Sequence, residues 1–140
     1  MEPLTLPGNL DSLTAVRDYV KTAAQAAGLD KKVTYRLVLA VDEVATNVVV
    51  HGYEEAGLSG PVTISADLSS TALTLVLEDT GIEYDDTRRA APKDLDKPIE
   101  EREIGGLGVF LAVEGVDEYT YQRIDGKNRR TFVMKRPAGG

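Results

Sequence analysis

The chain has 140 residues, formal charge −7 and pI near 4.7: enough for one domain with its own core, expected over residues 1–140, and too acidic for nonspecific binding to nucleic acid or an anionic membrane. With no cysteine and one histidine, disulfides, thiolate metal sites, thiol catalysis and multi-histidine metal sites are excluded. Met1-Glu2-Pro3 opens no basic-then-apolar leader, and no apolar run reaches membrane-spanning length, so a soluble cytoplasmic protein is expected.

Leu4-Thr5-Leu6 alternates apolar and polar residues and stops at Pro7-Gly8, the pattern of a short edge strand. Asn9 or Asp11 is placed to cap a helix that carries Leu10, Leu13, Val16, Val20, Ala23 and Ala27 on one side and closes at Gly28. Asp30 caps a second helix, predicted from Lys32 to Gly52. Its apolar stripe, Leu37, Val41, Val44 and Val48, is widened by Ala40, Ala45, Val49 and Val50, so the helix should be buried on most sides. Glu43, Asn47 and His51 recur at four-residue intervals beside that stripe and stack into a polar ridge that helix stability does not require. Burying it is costly unless partners or a bound ion come from elsewhere.

After the polar stretch Glu54 to Gly60, Val62 to Leu68 and Leu73 to Glu78 read as a hairpin joined by Ser69 to Ala72. From Asp79 to Glu103 apolar periodicity disappears, charge is dense, and Pro92 and Pro98 break any helix. Irregular segments that long in a compact domain are lids, binding loops or disordered. Gly105, Gly106 and Gly108 open a short helix running through Val109 to Val113. Two further strands, Glu118 to Ile124 and Arg130 to Met134, are separated by a turn at Asp125-Gly126-Lys127-Asn128. No repeat or linker interrupts the pattern.

Each polar feature has a plain structural reading beside a chemical one. Asp79-Thr80-Gly81 ends a strand, which suits a turn, or an acidic group facing a pocket beside a glycine that lets a flat ligand approach. Gly105-Gly106-Leu107-Gly108 at a helix start suits a hinge, or phosphate binding through uncovered N–H groups at the positive helix end. Glu43 and Asn47 serve as a polar edge or as a site, and His51 near the helix C-terminus as a charge-compensating residue.

Taken together in this order, the motifs Leu39 to Tyr53, Glu78 to Asp85 and Gly105 to Leu111 resemble those of the GHKL ATPase and kinase superfamily. The similarity is to its stand-alone serine kinases and anti-sigma factors of the RsbW and SpoIIAB type. The resemblance implies a two-layer α/β sandwich: about five mostly antiparallel strands in a mixed sheet, with about three helices on one face. It implies that Glu43 acts as general base and that Asn47 ligates Mg²⁺. It further implies that Asp79 accepts a hydrogen bond from the adenine amino group of ATP, that Gly81 admits the ring, and that His51 belongs to the nucleotide-binding set. Gly105, Gly106, Leu107 and Gly108 would line the triphosphate, and Pro92 to Glu103 would form a lid. The implied partners are an anti-anti-sigma protein of the STAS type, phosphorylated on Ser or Thr, a sigma factor, and a second copy in a homodimer. Two other readings are a nucleotide-dependent binding module without useful transfer and an interaction protein that binds no nucleotide. Tyr84 stands where many relatives carry Phe, and a catalytic domain by itself, without a phosphoacceptor-histidine helix ahead of it, is expected.

Overall fold

Five strands lie side by side in the order β1-β2-β3-β5-β4, every neighbouring pair antiparallel: β1 is Leu4–Pro7, β2 Pro61–Leu68, β3 Ala72–Asp79, β4 Glu118–Ile124 and β5 Lys127–Lys135. This computed structural model describes residues 1–83 and 113–137. The expected lid, the motif Gly105 to Gly108 and the helix it opens lie outside the described residues. The sheet, expected to be mixed, is antiparallel throughout its described strands. Two long helices, α1 (Leu13–Ala26) and α2 (Lys31–Asn47), pack against one face through a shared apolar core, as the two-layer expectation requires.

The core follows from two periodicities meeting. Alternation in β3 puts Leu73, Leu75 and Leu77 inward, and in β5 it does the same for Phe132 and Met134. Helical spacing turns Leu13, Val16, Val20 and Ala23 of α1 and Leu37, Val41 and Val44 of α2 toward them. Each large aliphatic side chain so buried contributes roughly 1.5–3 kcal/mol. At one end of the sheet this inward row changes character: Asp79 follows Leu77 on β3, and Arg130 and Asn128 precede Phe132 on β5, all three buried. The interior therefore has an apolar body and one polar pole.

Helix ends show where local signals hold and where they shift. Gly28 (φ +74°) terminates α1, with Leu29 N–H bonded to Ala24 O and Gly28 N–H to Gln25 O, a Schellman closure that favours glycine. Asp30 caps α2 by accepting from Val33 N–H at 2.8 Å. Neither Asn9 nor Asp11 caps α1 as expected. Leu10–Ser12 forms a 3₁₀ turn ahead of it, and Asn9 makes no side-chain cap. This turn rotates Leu10 out of the stripe, leaving it 49% exposed.

The predicted helix from Lys32 to Gly52 is two segments: α2 ends at Asn47, and Val48–Glu54 continues as a π-helix, with Glu55 N–H reaching back to Val50 O. The wider turn moves His51 off the line of Glu43 and Asn47. The other correction concerns the last hairpin. Asp125 (φ 51°) and Gly126 (φ +77°) make a two-residue turn of the I′ kind, so Lys127 and Asn128, read as turn residues, belong to β5.

Candidate functional site

α2 carries two adjacent carboxylates with different fates. Asp42 accepts from Arg17 Nε of α1 at 2.7 Å, clamping the helices together. Glu43 is half-buried and has no hydrogen-bond or ion-pair partner among the described residues. One turn on, Asn47 is 6% exposed, and its Nδ2 is buried without a hydrogen-bond partner. An unmet buried amide costs about 1–3 kcal/mol, so fold stability does not account for an asparagine at this position. His51 stands apart: its Nδ1 lies 2.5 Å from Glu55 Oε1, in keeping with an i, i+4 pair near the helix end.

The π-helix positions the second part of the site. Gly52 O accepts from Ile82 N–H at 3.2 Å, so a carbonyl of the last helical turn, without an intrahelical partner, holds the chain leaving β3. A Cβ on Gly81 would come 2.6 Å from that carbonyl oxygen, which is why only glycine fits. Tyr53 secures the same junction: its hydroxyl donates to Pro61 O at 2.6 Å and accepts from Thr80 N–H at 2.8 Å. The structure thus brings Gly81 and Asp79 against the end of the central helix.

At the polar pole, Asp79 is 2% exposed and Arg130 1%, joined by Arg130 Nη1 to Asp79 Oδ2 at 2.8 Å. Asp79 Oδ1 accepts from Gly81 N–H at 2.9 Å and from Asn128 Nδ2 at 2.8 Å. Asn128 Nδ2 also donates to Ile82 O at 2.8 Å, while its Oδ1 accepts from Tyr121 Oη at 2.5 Å and Arg123 Nη1 at 3.0 Å. A buried ion pair survives only with such additional hydrogen bonds. The composition and motif order did not reveal Asn128, Arg130, Tyr121 or Arg123. The available signal was Asp125-Gly126: a two-residue turn there would have set the alternation and turned Asn128 and Arg130 inward.

No cluster of three or more His, Cys, Asp or Glu forms among the described residues, so a divalent cation here would need phosphate oxygens and water to complete its shell. Asn47 fits that arrangement. Its Nδ2 is the buried atom, which leaves Oδ1, an acceptor without a hydrogen-bond partner among the described residues, as the atom that a cation could reach.

The chain matches the histidine kinase-like ATPase domain over residues 6–135 and belongs to that family. Within it, the chain is 33% identical over 111 residues to the serine-protein kinase RsbW of Halalkalibacterium halodurans, covering 77% of this chain and 67% of that one. It is 25% identical over 126 residues to the RsbW of Bacillus cereus, covering 88% and 78% respectively. Among solved structures, the RsbU and RsbW domains of Rv1364c from Mycobacterium tuberculosis share the fold at TM-score 0.64 and 20% identity. That likeness covers 99% of this chain, which spans 34% of the other. No helix among the described residues is long and apolar enough to cross a membrane.

Proposed function

We propose that this chain is an ATP- and Mg²⁺-dependent serine/threonine protein kinase of a partner-switching system. It phosphorylates an anti-anti-sigma protein of the STAS type and holds a sigma factor when that protein is unavailable. The observation that carries this reading is the pair on α2: an unengaged Glu43 one turn from a buried Asn47 whose amide nitrogen is unmet. An interaction protein needing only a polar helix edge would satisfy that amide internally. The serine-protein kinases named above support the same activity.

In this reading Glu43 takes the proton from the partner's Ser or Thr hydroxyl as its oxygen bonds to the γ-phosphorus of ATP, while the bond from that phosphorus to the β-phosphate oxygen breaks and ADP leaves. Asn47 would hold Mg²⁺, and Asp79 with Gly81 would receive the adenine. When bound, Mg-ATP supplies the γ-phosphoryl group, with the charge that transfer develops neutralised by the cation. What remains for the chain is positioning and deprotonation, the chief protein contributions to phosphoryl transfer. His51, paired with Glu55, lies at the margin of the nucleotide-binding set.

The test is incubation of the purified chain with γ-labelled ATP, Mg²⁺ and candidate STAS-type proteins from the same genome. Phosphate on a Ser or Thr of one candidate, lost with Glu43→Gln, is the expected result. Tight ATP binding without transfer to any candidate would favour the nucleotide-dependent binding module.

A further inference from the structure

The polar pole of the core holds more than a structural ion pair. Three groups donate to Asp79: Gly81 N–H and the Asn128 amide to Oδ1, Arg130 to Oδ2. A carboxylate offers about four lone-pair positions. Three are filled within the chain, so one acceptor position on Oδ2 is left for a ligand. The orientation of Asn128 is itself set, because Tyr121 Oη and Arg123 Nη1 both donate to its Oδ1 and so leave its Nδ2 facing Asp79 and Ile82 O. Tyr121 also lies under Arg130, with the guanidinium carbon 5.0 Å from the ring centroid, a cation–π distance.

Resting on the proposed ATP site, we infer that Asn128, locked by Tyr121 and Arg123, and Arg130 are positioning residues that set base specificity by presenting Asp79 as a single acceptor. Such a group pairs with the exocyclic amine of adenine. It opposes the 6-keto oxygen of guanine or hypoxanthine, which brings a second acceptor and leaves both unpaired, the kind of mismatch that discriminates strongly in a buried site. None of the four residues need touch the nucleotide; they act through Asp79 and through the Gly81–Ile82 turn, which Arg123 also holds by donating to Gly81 O at 3.0 Å.

The experiment compares ATP with ITP, which carries the same triphosphate but has a 6-keto oxygen in place of the 6-amino group and a proton on N1, by calorimetry on the full chain with Mg²⁺. Asn128→Ala removes one donor to Asp79 while leaving the Arg130–Asp79 pair intact. It is expected to lower ATP affinity about tenfold, because an Asp79 no longer held by Asn128 aims its open acceptor position less well at the 6-amino group, and to leave ITP affinity within about twofold. Tyr121→Phe keeps the ring beneath Arg130 and removes only the hydroxyl that locks Asn128. It should shift the ATP-to-ITP ratio in the same direction by about threefold, and it keeps the inference testable if Asn128→Ala fails to fold. Equal losses for ATP and ITP, or an unchanged ratio in folded variants, would overturn the inference while leaving the ATP site standing. Wild-type protein that binds neither nucleotide overturns both.

Discussion

Asp42 and Glu43 are neighbours in sequence, yet only one is engaged. Asp42 is tied to Arg17 in a partly exposed pair worth up to about 1 kcal/mol, so Asp42→Asn should lower stability by no more than that and leave transfer chemistry intact. Glu43→Gln keeps shape but cannot take a proton; the expectation is retained Mg-ATP binding with single-turnover transfer reduced roughly 10²–10⁴-fold. Asn47→Ala separates function from stability. Removing an unmet buried amide and adding a strong helix former should leave the melting temperature unchanged or raise it, while Mg²⁺-dependent ATP affinity falls by tenfold or more. A melting temperature lowered by several degrees would show the amide to be satisfied in solution and structural. Asp79→Asn behaves oppositely: it breaks the buried ion pair with Arg130, a change that costs about 3–5 kcal/mol. Loss of nucleotide binding in that variant has to be read beside its unfolding curve.

The element that joins the two halves of the site is the π-helix Val48–Glu54. Insertions of this kind recur at functional positions, and here Gly52 O, one of the carbonyls left open in the last turn, accepts from Ile82 N–H. Gly81→Ala would push a methyl to 2.6 Å from that carbonyl oxygen and 3.1 Å from Asp79 Oδ1. Backbone on one side and an ion-paired carboxylate on the other leave little room to yield. Overpacking of this sort costs about 1–3 kcal/mol, measurable by denaturant unfolding, and the turn that carries Asp79 should move with it. An unfolding midpoint equal to wild type would mean that the π-helix and the turn separate easily.

For the whole molecule, the apolar body and polar pole divide labour: one stabilises the fold and the other, in the proposed reading, receives the ligand. A ligand bound only by the folded state stabilises it by about 2.7 kcal/mol at a hundredfold excess over its Kd. Mg-ATP should therefore raise the melting temperature of wild type and of Glu43→Gln, and do so far less for Asn47→Ala. Much of this architecture was legible in the chain, because its elements rest on local causes: the Schellman glycine at Gly28, the cap at Asp30, the alternation of β2 and β3, and the stripe of α2. Glu43 and Asn47 stood out as candidates because helix stability does not require a polar ridge there, whereas Asp79-Thr80-Gly81 also suited a turn and gained weight only from the order of the motifs. What only the tertiary structure decided is which of these groups are satisfied. Asp42 and Glu43 differ because α1 brings Arg17 to one of them. The helix widens after Asn47 where the turn at Gly81–Ile82 docks on Gly52. Asn128 and Arg130 became part of the pole through a cross-strand register that pairs Asp79 with Asn128. Hydrogen-bond satisfaction is settled between residues tens of positions apart, and periodicity, being local, determines which face a side chain occupies but not what meets it there.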